Sequence, residues 1–229
     1  MKGTGSTVPI DRLVRSRRRT ISLEVHPDGK LVVRAPHHAN DAEIHALVNA
    51  KKTWILKKQA LAHQMMEEAP PKQFIDGEQF LYLGESYPLT VVTNQKKSLV
   101  LNGKFQLASQ WQANARRVFE KWYREQAAAV IKPRTAELAE RNGYAYTAIR
   151  INGAKTRWGS CGPKGSLNFP YRLVMAPLEV IDYVIIHELV HLRIRNHSRR
   201  YWDAVGSIVP GYRKHIQWLD DNGHRLSID

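Results

Sequence analysis

Val180-Ile181-Asp182-Tyr183-Val184-Ile185-Ile186 runs directly into His187-Glu188-Leu189-Val190-His191. The first seven residues are strongly apolar, which predicts a helix set into the core. Residues four apart share a helical face, so His187 and His191 can aim two imidazoles at one metal ion. Glu188 follows the first ligand, where it can take a proton from a water that such an ion activates. Two histidines and a carboxylate at the end of an apolar run are costly to bury alone, which favours a metal over two solvated histidines. Pro177 suits the start of the helix, because its missing N–H costs nothing in the first turn.

His197 is the expected third ligand. A continuing helix would carry it about 9 Å along the axis at about 1.5 Å per residue, whereas metal–nitrogen bonds are about 2.0–2.1 Å. The helix must therefore end soon after His191 and the chain must turn back. Asn196 is expected to make that turn with left-handed backbone. Ser198 would then cap a new helix through Arg199, Arg200, Tyr201, Trp202 and Val205. Glu179, Asp203, His215 and His224 are rival ligands. Three protein ligands with one open position is the pattern of a catalytic zinc, one Zn2+ per chain. The spacing equals that of the metzincins, but Ile194 stands where they have a turning glycine, so an ordinary metzincin is excluded. His26, His37, His38, His45 and His63 show no metal spacing with this group.

The chain has 229 residues, 43% of them hydrophobic, enough for a real core. Its net charge of +14 suggests an anionic partner, a nucleic acid or nucleotide, against the plainer reading of a solubility charge. The lone Cys161 excludes an internal disulfide and a C-x-x-C zinc ribbon, and is expected to act as a small hydrophobe. No run approaches about 20 apolar residues and no leader pattern opens the chain, which predicts a soluble cytoplasmic protein without a membrane partner.

Residues 1–10 are expected to fray, 11–108 to form a β-rich region with one long helix, and 109–229 to carry the metal helix. The last two could also be one domain. Strands are expected at Ile21–Val25 and Leu31–Val33 around Pro27-Asp28-Gly29. One helix should run from the Asn40 cap to Glu68, before Pro70-Pro71. Short strands follow at Phe80–Leu83, Tyr87–Val92, Leu99–Leu101 and Phe105–Leu107, punctuated by Gly77, Gly84, Asn94 and Gly103. A helix from Gln112 to Arg141 would bury Val118, Trp122, Ala129 and Leu138, kink or split at Pro133 and stop at Asn142-Gly143. Ala148–Ile151, Thr156–Ser160 and Leu167–Phe169 read as strands.

Five residues are candidate substrate contacts. Gly159 would let a backbone approach closely, Ser160 lies beside it, and Arg157 could hold a carboxylate or phosphate. Arg193 and Arg195, with Arg199 and Arg200, flank the expected ligands. Tyr201 and Trp202 read as packing, and Tyr212 as a remote oxyanion donor.

Thr156-Arg157-Trp158-Gly159-Ser160-Cys161, His187-Glu188-Leu189-Val190-His191, Asn196-His197-Ser198 with Tyr201-Trp202, and Trp218-Leu219-Asp220 with Asn222-Gly223 resemble the YgjP-like metallopeptidases, small zincins related to the SprT-like proteases. Arg17 and Arg19, Asp28-Gly29 before Leu31-Val32-Val33, and Gly77-Glu78 before Leu81-Tyr82-Leu83-Gly84 extend the resemblance over nearly the whole chain beyond residue 10. Tyr201 stands where family members usually have Phe. The resemblance implies an α+β fold with a zincin-like catalytic region, a small sheet beside the active helix, zinc ligands at His187, His191 and His197, and a catalytic Glu188. The expected activity is a zinc metallopeptidase acting on a peptide or protein. The alternatives are a hydrolase of a phosphoanhydride such as a nucleoside triphosphate, and a nucleic-acid-binding module with structural zinc. No glycine-rich phosphate loop supports the first, and an intact Glu188 argues against the second.

Overall fold

The computed structural model of the chain describes residues 8–26 and 28–229. Residues 1–7 of the expected frayed start, and Pro27 of the expected hairpin turn, lie outside the described residues. Val8 is buried in a core, so fraying does not reach residue 10. By its contacts the chain divides between Pro71 and Lys72, not after residue 108.

In the first unit, β1 (Arg12–Ser16), β2 (Ser22–Val25) and β3 (Leu31–Pro36) form a sheet in the order β1-β3-β2. β2 and β3 are the expected antiparallel hairpin, with Val25 opposite Leu31. β1 was not among the expected strands, because Arg12 and Arg15 leave no apolar run there. It pairs parallel to β3, and Arg15 reaches across to the Ala39 carbonyl at 2.5 Å and to Asp41 at 2.7 Å. Asn40 caps α1 (Asp41–Ala50) in a full capping box with Glu43, as its sequence predicts. The single helix expected up to Glu68 is interrupted at Lys51 (φ −104°, ψ 11°), where α2 (Lys52–Glu68) begins. Leu31, Val33, Ala35, Ile44, Val48 and Ile55 form the core of this unit.

The second unit begins with a sheet of β4 (Gln79–Tyr82), β5 (Glu85–Val92), β6 (Leu99–Asn102) and β7 (Lys104–Ala108), ordered β4-β5-β7-β6. Phe80, Leu89, Phe105 and Leu107 bury against Phe119 and Tyr123 of α3 (Ala115–Arg141). That shared core places these strands in one unit with α3. α3 buries Ala115, Phe119, Tyr123, Ala127, Ile131 and Thr135, every fourth residue. Val118 and Trp122 are only half-buried and Ala129 is exposed, so the stripe lies one residue round from the expected face. Pro133 does not split the helix. Pro133 and Ala129, whose carbonyl loses its partner, are both exposed, so water can replace the missing bond. Asn142-Gly143 ends it as expected, with Gly143 at φ +66°.

β8 (Ala148–Asn152), β9 (Ser160–Cys161) and β10 (Ser166–Pro170) form a small sheet ordered β8-β10-β9. The strand expected over Thr156–Ser160 is reduced to Ser160–Cys161, and residues 156–159 are a loop. A 3-10 turn leads to α4 (Leu178–Val190), followed by α5 (Arg199–Ile208) and α6 (Arg213–Asn222). Pro177 is the residue before α4, and its carbonyl accepts from Val180 and Ile181. Arg134 on α3 grips Asp182 on α4 through two nitrogens. The fold is α+β. Among the described residues no helix is long and apolar enough to cross a membrane.

Candidate metal centre

α4 buries nine of its residues, Val180 to Val190, and the face carrying Tyr183, Val184, His187 and Glu188 borders a cleft. Nearly all-round burial fixes the helix and therefore the directions of His187 and Glu188. The helix ends where the geometry requires: Leu192 and Arg193 turn back on Leu189 and Val190 through tightened backbone bonds. Asn196 is not among the residues with positive φ, so the expected left-handed turn is absent. Ser198 precedes α5 as expected, but its side chain makes no capping bond.

This turn brings His197 to the other two histidines. Its Nε2 lies 3.1 Å from His191 Nε2 and 3.2 Å from His187 Nε2. One nitrogen carries at most one proton and cannot donate to both neighbours. Four donors held tetrahedrally at about 2.0–2.1 Å from an ion stand about 3.3 Å apart, so these separations suit a shared ion. His187, His191 and His197 are the only group of three or more potential ligands that converges in this way among the described residues. Glu179, Asp203, His215 and His224 do not join it.

The surroundings prepare the rings. His191 Nδ1 faces the Ile194 carbonyl at 3.0 Å, so its proton sits there and the Nε2 lone pair faces the cluster. His187 Nδ1 faces the Tyr183 hydroxyl at 3.4 Å. Tyr201, fully buried, stacks on His191 with centroids 4.5 Å apart and donates to the His187 carbonyl at 2.9 Å. Trp202 stacks on His197 at 5.6 Å and on Tyr212 at 5.2 Å. Tyr201 and Trp202 thus pack, as expected, and what they pack is the ligand rings. Burial pushes His187 down to about 3, with the neighbouring His191 and His197 adding to the effect. Burial lowers His191 too. Burial thus favours the neutral form of these two rings, the form in which imidazole binds a metal.

Glu188 is 4% exposed, and its Oε2 has no hydrogen-bond partner. Burial lifts its carboxyl to about 8, opposed by the charge of Arg157, and a cation held by the neighbouring histidines would favour the ionised form that can accept a proton. Room for this carboxylate comes from Gly159. A Cβ added there would lie 2.6 Å from Glu188 Cγ and 2.8 Å from Cδ, closer than side chains pack. The close approach read from Gly159 is thus made by Glu188.

Gly159, His187 and Glu188 line clefts on both sides. Ser160, Cys161 and Arg195 complete one beside His191 and His197. Arg157, Trp158, Tyr183 and Leu219 complete the other. Arg195 also donates to the Gly162 and Pro163 carbonyls at 3.0 and 3.1 Å and lies 3.3 Å from Cys161 Sγ. Arg193 lies over the Tyr144 ring at 4.4 Å and donates to the Gly143 carbonyl. Arg193 and Arg195 thus brace loops, whereas Arg199 and Arg200 are exposed. Cys161 is half-buried, and burial raises its thiol. Trp158 is half-buried. Its ring lies 3.7 Å from the Arg172 guanidinium, which also donates to the Ala154 and Lys155 carbonyls. Nothing in the sequence spacing points to Arg172.

No curated protein matches this chain. Among solved structures it is similar to the metallopeptidase zymogen abylysin of Pyrococcus abyssi, with 20% identity over 40% of this chain and 93% of that one, at a TM-score of 0.37. The jannalysin zymogen of Methanocaldococcus jannaschii is similar at 19% identity, covering 40% of this chain and 95% of that one, also at 0.37. The family model of the YgjP-like metallopeptidase domain matches residues 19–222, and the chain belongs to that family.

Proposed function

We propose that this metallopeptidase holds one zinc ion on His187, His191 and His197 and cuts peptide bonds with Glu188 as general base. The convergence of three Nε2 atoms beside a buried, unpartnered carboxylate carries the reading. Three imidazoles suit zinc among the common divalent ions. A divalent ion supplies Lewis acidity to the cleft when bound. Glu188 Oε2 takes the proton of the attacking water and passes it to the leaving amine. β9 pairs with β10 on one edge only, and Ser160 and Cys161 flank the ligands. The other edge of β9 can receive an extended peptide by strand addition.

Arg193 and Arg195 are engaged on backbone carbonyls, which weakens the phosphoanhydride alternative. A structural zinc alone gives no reason to bury Glu188 beside its ligands. The test is Glu188→Gln, measured for zinc content, thermal melting and hydrolysis of an unfolded protein substrate. Gln cannot accept the proton at neutral pH, so metal and fold should persist while hydrolysis is lost. Undiminished hydrolysis would sink the mechanism.

A further inference from the structure

The cleft between α4, α6 and residues 157–159 holds about 260 Å³. Sites for drug-sized ligands occupy roughly 300–1,000 Å³, so this one has the scale of a single amino-acid side chain. Half of its lining is apolar or aromatic: Trp158, Tyr183, Val184, Ile216 and Leu219. Val184 and Leu219 are nearly buried, Ile216 is half-buried, and the Tyr183 hydroxyl is turned to His187. Two exposed charges of opposite sign, Arg157 and Asp220, also line it. An acidic side chain drawn to Arg157 would face Asp220 and Glu188, and a basic one drawn to Asp220 would face Arg157. Either charge sunk between Val184 and Leu219 would lose its water, and the like charge it meets would offset the attraction of its exposed partner on the rim. The Trp158 wall is set in advance by the Arg172 guanidinium behind its ring and by Gly223, where a Cβ would lie 2.8 Å from Trp158 Cζ2. A preformed wall spares the cost of ordering on binding.

We infer that this cleft is a specificity pocket taking one large uncharged apolar side chain of the substrate, of the leucine, methionine or phenylalanine class, next to the bond that is cut. The assignment rests on the peptidase reading, because His187 and Glu188 form one wall of the pocket.

The test separates binding from cleavage. Peptidyl hydroxamates carrying Leu, Phe, Ala, Glu or Lys beside the chelating group are titrated calorimetrically into the zinc-loaded full chain. Leu and Phe should bind at least about tenfold tighter than Ala, the scale of filling an apolar pocket, with Glu and Lys weakest. Ile216→Trp should fill the cleft and erase that order while zinc content and melting hold. Should Ile216→Trp fail to fold, Asp220→Lys on the exposed rim should raise the Glu ligand above the Lys ligand. In parallel, cut sites in an unfolded protein are mapped by mass spectrometry and should lie beside Leu, Met or Phe. The expected hydroxamate order without any cleavage would uphold the pocket and reject the peptidase reading. Equal affinities, no binding of any hydroxamate, an order unmoved by the variants, or cuts indifferent to side chain would overturn the pocket.

Discussion

Gly159→Ala adds one methyl group to a loop that touches no ligand ring, yet it should disable the site. The new Cβ would lie 2.6 Å from Glu188 Cγ, roughly 1 Å short of ordinary carbon–carbon contact at about 3.5–4.0 Å. Glu188 sits on α4, whose other faces are packed in the core, so its backbone cannot retreat and its side chain or the 156–159 loop must move. Overpacking of this kind costs about 1–3 kcal/mol of stability, and a 1 Å displacement of a reacting group costs about 10²-fold in rate. The three Nε2 atoms are untouched, so zinc should stay. The assay is kcat/KM on a fluorogenic peptide, with zinc content and denaturant unfolding measured on the same samples. A cycle with Glu188→Ala isolates the cause. Once the carboxylate is gone, Gly159→Ala should lose most of its stability penalty. Activity and stability equal to the natural chain, or an undiminished penalty in the Glu188→Ala background, would refute the steric argument.

His197→Ala should lose zinc as completely as His187→Ala or His191→Ala, read by metal analysis after dialysis. Full occupancy would return Glu179, Asp203, His215 and His224 to consideration. Tyr183→Phe removes the hydroxyl facing His187 Nδ1 and should weaken zinc about 10–100-fold in competition with a chelator, with melting little changed; unaltered affinity would leave Tyr183 as a wall residue only. His215 is 5% exposed, and burial, with Lys214 adding, holds its imidazole below the usual range. Its unfolded form therefore takes up a proton first, and the natural chain should lose stability as pH falls through about 6.5. His215→Gln should lose less over that window in denaturant titrations, and identical pH slopes would reject the argument.

The metal centre was legible because its information is local. His187 and His191 lie one helical turn apart, the apolar run before them identifies the helix, and the distance to His197 forces a turn. Capping at Asn40 and the stop at Asn142-Gly143 are equally short-range. What escaped depends on partners far along the chain. β1 exists because Leu13 and Val14 pair with Val33 and Arg34, and nothing within Arg12–Ser16 announces that. Gly159 reads as room for a substrate backbone until Glu188 is placed against it. Arg193 and Arg195 read as an invitation to anions until Gly143, Gly162 and Pro163 appear as their acceptors.

The three imidazoles differ in how they are anchored. His187 and His191 belong to the last turn of a helix fixed in the core, whereas His197 is exposed and follows a stretch without regular structure. Releasing an ion held by all three therefore requires only that the His197 segment swing away, a local opening far cheaper than global unfolding. Metal exchange should then run on the clock of that segment. The lifetime of the loaded state and the stability of the fold become separately adjustable quantities, one set between Leu192 and Ser198 and the other by the core beneath α4.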